Sequence, residues 1–174
     1  GEPNVLVHAD EYTDTVEQLE FKKAGVNKLS YGPESDGSYE KEFAISTDSE
    51  PDSSAQVGGD DPVMILYTGG TTGESKGALH THKSVYIGMM NQTVAERILP
   101  TDIYMLTGQM FHIPIALAIN YMAHGCPLVL INFEARLALE VIQKERVSAF
   151  LGITTMLNWM MAVEEFKDFD LSSL

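Results

Sequence analysis

The stretch Tyr67-Thr68-Gly69-Gly70-Thr71-Thr72-Gly73-Glu74-Ser75-Lys76-Gly77-Ala78 holds the residues best suited to chemistry in this sequence. Glycines let backbone N–H groups approach an anion closely, threonine hydroxyls add donors, and a lysine supplies positive charge. That is the composition of a phosphate cradle; without a ligand, the same residues would make only a tight polar turn. Spacing excludes two nucleotide motifs. A Walker A loop has Gly directly before its Lys and Ser or Thr directly after, whereas Lys76 lies between Ser75 and Gly77. A dinucleotide fingerprint needs G-x-G-x-x-G, which Gly69-Gly70-Thr71-Thr72-Gly73 does not spell.

Other candidates lie outside the loop. His80 and His82 follow it, but a zinc site needs further ligands, and no Cys or carboxylate is suitably clustered with them. Phe111-His112 is an aromatic–histidine pair, and a lone His is commonly satisfied inside a core. Thr154 and Thr155 are ordinary helix N-cap types. Cys126 is the single cysteine, so no internal disulfide forms; a small buried residue in a reducing compartment is the expectation.

These residues need elements to hold them. Asn4–His8 reads as a strand, Thr13–Ala24 as a helix turning Val16 and Leu19 inward, and Val26–Tyr31 as a second strand. From Gly32 to Asp61 the chain is rich in Gly, Ser, Pro, Asp and Glu, which predicts an exposed acidic loop over 32–61 with a short helix near Glu40–Ile45. Val63–Leu66 is an apolar strand emptying into the glycine loop. A helix over Lys83–Leu99 is expected to carry Ile87, Met90, Val94 and Ile98 at its spacing. Strands are expected at Ile103–Leu106, Pro127–Ile131 and Val147–Leu151. Ile113–Ala123, interrupted only by Asn120, reads as a helix buried between layers, and Glu134–Arg146 as an amphipathic one. Leu157, Met160 and Met161 form a stripe expected in the core. The rhythm predicts one α/β subdomain over 1–174, a mostly parallel sheet flanked by helices on both faces.

The loop resembles the signature of the adenylate-forming (AMP-binding) superfamily, which includes acyl-CoA synthetases: Tyr-Thr-Ser-Gly-Thr-Thr-Gly-x-Pro-Lys-Gly. This chain has Gly69 for the serine and Ser75 for the proline, variants similar to those of fatty acyl-CoA synthetases. The resemblance implies that Thr68, Gly69, Gly70, Thr71, Thr72, Gly73 and Lys76 hold ATP phosphates. It implies that Phe111, His112, Thr154 and Thr155 line the pocket of a carboxylic acid, although Ile115 replaces a family glycine and Thr154 a proline. His82 would have a structural role or position the loop. ATP, Mg2+ and CoA are the implied cofactors, and a fatty acid the implied substrate. Motifs for adenine, magnesium and ribose and a catalytic lysine do not occur in the chain. It is therefore expected to be a truncated part of the large N-terminal domain, inactive alone, with no catalytic residue of its own and the remainder of its own chain as a partner. A peptide-synthetase adenylation domain and a noncatalytic ATP-binding module share the loop and stay open.

Composition sets limits. At 174 residues and 44% hydrophobic, the chain can bury a sizeable core. A net charge of −14 argues against nucleic acid as a partner, because phosphate backbones are bound by basic patches, but not against ATP, which needs only local donors. No apolar run reaches the ~18 residues of a membrane span, and the cytoplasm is the expected location.

Overall fold

The computed structural model of the protein describes residues 3–22, 24–45, 56–68, 73, 75–108, 110 and 113–174. The chain divides into two compact units, 1–56 and 57–174.

In the first unit, β1 (Val5–Ala9) pairs in parallel with β2 (Asn27–Tyr31), Val5 opposite Asn27 and Ala9 opposite Tyr31. The connection holds α1, which spans only Thr13–Glu17. The expected helix to Ala24 stops early because its last carbonyls are taken: Val16 O accepts from Leu19 N and, at 3.0 Å, from Lys28 Nζ on β2. Val16 is buried as expected, and Leu19 is exposed. Gly32, at φ +126°, passes so close to the Asp10 carboxylate that a Cβ would sit 2.5 Å from Oδ2. Ser30 and Ser38 hydrogen-bond Asp36 and hold its carboxyl down at about 2. The predicted short helix is α2 (Ser38–Ile45), with no buried residue; positions 46–55 of the acidic loop lie outside the described residues.

The second unit begins with an antiparallel hairpin, β3 (Pro62–Thr68) and β4 (Lys76–Thr81), followed directly by α3 (His82–Glu96). A three-stranded parallel sheet comes next in order β6 (Leu128–Leu130), β5 (Tyr104–Leu106), β7 (Ala149–Phe150). Central β5 is buried along its whole length, and alternation sends its side chains to two cores. Tyr104 and Leu106 meet Ala118 and Tyr121 of α4 (Ile113–Ala123). Met105 meets Ala138, Leu139 and Ile142 of α5 (Ala135–Glu145) and Met160 of α6 (Thr154–Met161). Helices thus cover both faces, and the α/β class expected from the sequence is borne out, with the β3–β4 hairpin as its antiparallel part.

Three helical expectations need correction. α4 buries one side only: Ile113, Ile119 and Met122 are exposed, while Asn120, the apparent polar interruption, is fully buried. α3 turns Val85, Met89, Gln92 and Thr93 inward, and Ile87, Met90 and Val94 outward; only Ile98, beyond its end, reaches the core. In α6, Met160 is core, but Leu157 and Met161 are exposed, because a helix packed by one side against α5 hides only part of a stripe.

Candidate phosphate-binding loop

The glycine loop is the connection of the β3–β4 hairpin. Its ends are fixed opposite one another: Thr68 pairs in register with Lys76, and Thr68 Oγ1 donates to Lys76 O at 3.3 Å. Gly69, Gly70, Thr71, Thr72 and Glu74 lie outside the described residues. At Gly73, φ is +157° and a Cβ would meet none of the described residues within 4 Å. Gly77 differs. Directly opposite Tyr67, it leaves room for Ile65 Cγ2 at 2.8 Å and the Tyr67 ring at 3.3 Å from its hypothetical Cβ.

Lys76 is exposed, and among the described residues it has no ion pair. Its ammonium is therefore not held by any carboxylate among the described residues; Glu74, two positions away, lies outside them.

A strand separates the loop from α3, which changes where an anion can be gripped. In a strand–loop–helix cradle, the helix N-terminus offers free N–H groups. Here they are already used. His82 N donates to Asp61 O at 3.1 Å, Lys83 N to Gly59 O at 2.7 Å, and Ser84 N to Thr81 Oγ1 at 3.2 Å, the last closing a capping box. Donors for a phosphate must come from the loop itself and Lys76. His82, rather than continuing the extended segment, opens α3, and its backbone ties the hairpin base to the 58–61 turn.

Of the second group of predicted residues, Thr154 and Thr155 follow β7 at its carboxyl end, where ligands of open α/β sheets bind. Phe111 and His112 lie outside the described residues, immediately before α4. Thr154 and Thr155 are exposed and open α6. Neither is an N-cap: that place belongs to Ile153, which makes no side-chain cap, so the threonine hydroxyls are not spent on the helix. The two segments are joined where they leave the sheet, Thr107 Oγ1 donating to Leu151 O at 3.0 Å. Glycines allow tight turns at both exits. A Cβ on Gly108 would sit 2.6 Å from Pro114 Cγ, and one on Gly152 would sit 3.0 Å from Leu157 Cδ2. A cavity of about 300 Å³ lies at this end, lined by Leu106, Gly108, Met110, Leu130, Ile131 and Asn132. The sequence did not single out its β6 side, since Leu130 and Ile131 read simply as strand.

Among the described residues, no three or more His, Cys, Asp or Glu gather as metal ligands. Among the described residues, too, no helix is long and apolar enough to cross a membrane.

A parallel sheet with helices on both faces, in the same unit as the β3–β4 hairpin, defines an α/β protein. The chain belongs to the AMP-binding enzyme family, which matches residues 1–174. It is similar to the long-chain-fatty-acid–CoA ligase FadD13 of Mycobacterium tuberculosis, 33% identical over 117 residues, covering 66% of this chain and 23% of that protein. It is also similar to a feruloyl-CoA synthase of Amycolatopsis, 26% identical over 174 residues, 98% of this chain and 33% of that one. Among solved structures, the N-terminal domain of FACL13 from Mycobacterium tuberculosis superposes with a TM-score of 0.85 at 25% identity, over 98% of this chain and 43% of that one. The chain thus spans between about a quarter and a third of the length of these curated relatives.

Proposed function

We propose that this chain is part of the large N-terminal domain of an AMP-forming acyl-CoA synthetase, and that the loop from Thr68 to Lys76 holds the β- and γ-phosphates of ATP. The observation that carries this reading is the hairpin: its ends are paired at Thr68 and Lys76, while Lys76 is exposed and has no ion pair among the described residues. Backbone and hydroxyl donors of Gly69, Gly70, Thr71, Thr72 and Gly73 surround the anion, and Lys76 offsets its charge.

The reaction has two steps. A carboxylate oxygen of the acid attacks the α-phosphorus of ATP, and the bond to pyrophosphate breaks, leaving an acyl-adenylate. The CoA thiol then attacks the acyl carbon, the bond to AMP breaks, and the thioester forms. This chain's part is to bind and orient. Phe111, His112, Thr154 and Thr155 line the acid's entry at the carboxyl ends of β5 and β7. No residue here acts as nucleophile or general base. Mg2+ would come with the phosphates of ATP, with any protein ligands supplied by the rest of the enzyme.

A fatty acid is the proposed substrate, supported by Gly69 in the loop and by the long-chain-fatty-acid–CoA ligase among the relatives. The acid, ATP and CoA are the small-molecule partners, the rest of the enzyme completes the site, and the cytoplasm is the compartment proposed. The test is Lys76→Ala in the full-length protein. ATP–pyrophosphate exchange with a fatty acid is expected to fall by about 2 orders of magnitude, as for loss of one charge-stabilising group; exchange near the wild-type rate refutes the loop assignment. The 174-residue chain alone is expected to make no thioester from acid, ATP and CoA.

A further inference from the structure

α3 and α4 are joined by a set of side-chain hydrogen bonds. Asn120 of α4, with no exposed surface, places its Nδ2 at 2.9 Å from Met89 O, 3.1 Å from Gln92 Oε1 and 3.2 Å from Thr93 Oγ1, three acceptors that share its two N–H hydrogens. Its neighbour Tyr121 donates to Glu96 Oε2 at 2.9 Å, an atom that also accepts from Gln92 Nε2 at 3.1 Å. Met89, Gln92, Thr93 and Glu96 stand at i, i+3, i+4 and i+7, one stripe of α3. Two consecutive residues of α4 therefore hold a whole side of the other helix. Apolar contacts tolerate sliding, but directional bonds do not: a shift of one turn, about 5.4 Å, would separate Asn120 Nδ2 from its acceptors on α3 and leave a fully buried amide to find new ones.

Each helix is a direct continuation of one candidate half-site. Thr81 is both the last residue of β4 and the N-cap of α3, so no loop separates Lys76's strand from the helix. α4 starts immediately after Phe111 and His112. We infer that Asn120 is a positioning residue, the clasp that sets the phosphate-gripping hairpin at its working distance from the acid's entry. This inference rests on the phosphate and acid sites proposed above. In-line attack needs the carboxylate and the triphosphate aligned, and a misplacement of about 1 Å can cost roughly 100-fold in rate.

The experiment uses the full-length protein with Asn120→Leu, of similar size but without donors, and measures adenylate formation by pyrophosphate release. Each half-site keeps its own contacts, so KM for ATP and for the acid should each stay within about 3-fold while kcat falls about 10- to 100-fold. The loss should persist at temperatures well below the variant's melting point, where a purely structural defect would leave kcat intact. Unchanged kcat in the folded variant, or a raised KM with kcat unaltered, overturns the inference. Should Asn120→Leu not fold, Thr93→Val carries the test, with a kcat loss of about 3- to 10-fold expected and an unchanged kcat again overturning it. Lys76→Ala run alongside separates the two claims. If it retains activity, the phosphate site itself is wrong; if it is inactive while a folded Asn120 or Thr93 variant is normal, only the positioning role falls.

Discussion

α3 and α5 are both exposed on one side and packed on the other, and both end on an arginine in the left-handed region, Arg97 at φ 55° and Arg146 at φ 56°. They are held in opposite ways. α5 buries Ala138, Leu139 and Ile142 completely, in a core with Met105 and Val147, and leaves its charges in water. α3 turns polar atoms toward Asn120 and Tyr121, and leaves Val94 79% exposed and Ile87 49% exposed. The scaffold helix is fixed by area removed from water, and the helix that continues the loop strand is fixed by directional bonds. Burial resists unfolding, whereas a directional clasp resists slippage.

Substitutions on the two helices sharpen or break that contrast. The largest effect is expected for Leu139→Ala on α5, a loss of about 2–5 kcal/mol in denaturant unfolding, because the side chain leaves a cavity in a packed core. An effect below about 1 kcal/mol would mean that α5 is not the anchor. At the helix ends, Arg97→Gly should raise stability by about 1 kcal/mol by relieving the left-handed backbone. Arg146→Gly should gain less, since Arg146 also pairs with Asp170 at 2.8 Å and donates to Ser172. Both partners of that ion pair are about half exposed, so it offsets only a fraction of the gain. Equal gains at both ends would show the Arg146 contacts to be idle. The smallest effect is expected for Val94→Ser in the 174-residue chain, within about 0.5 kcal/mol. A loss comparable with Leu139→Ala would mean that the apolar side of α3 is covered after all.

The same contrast explains what could be read from the sequence. The span of α5 was legible from its amphipathic pattern, but its face only in part: Ala138 and Ile142 are fully buried, whereas Leu137 is exposed and the fully buried Leu139 did not stand out. α3 was placed correctly but turned the wrong way. It carries apolar residues around its whole circumference, with Val85 and Met89 inside and Ile87, Met90 and Val94 outside, so periodicity could not choose a face. Asn120 was legible only as a blemish in an apolar helix. A polar residue in such a run is a sign of a buried partner, but its acceptors sit on another helix, and no local pattern names them. The loop stood out through composition and string. That it closes a hairpin was not legible, because the extended stretch Lys76–Thr81 lacks an apolar alternation strong enough to mark it as the partner of Val63–Leu66.

Because Thr68 and Lys76 face each other across the hairpin, whatever runs between them starts and finishes at the same two points. A replacement segment of another length or composition would leave the strands beneath it in step. Ligand preference could then be rewritten in that insert alone, with the scaffold serving as an unchanged socket.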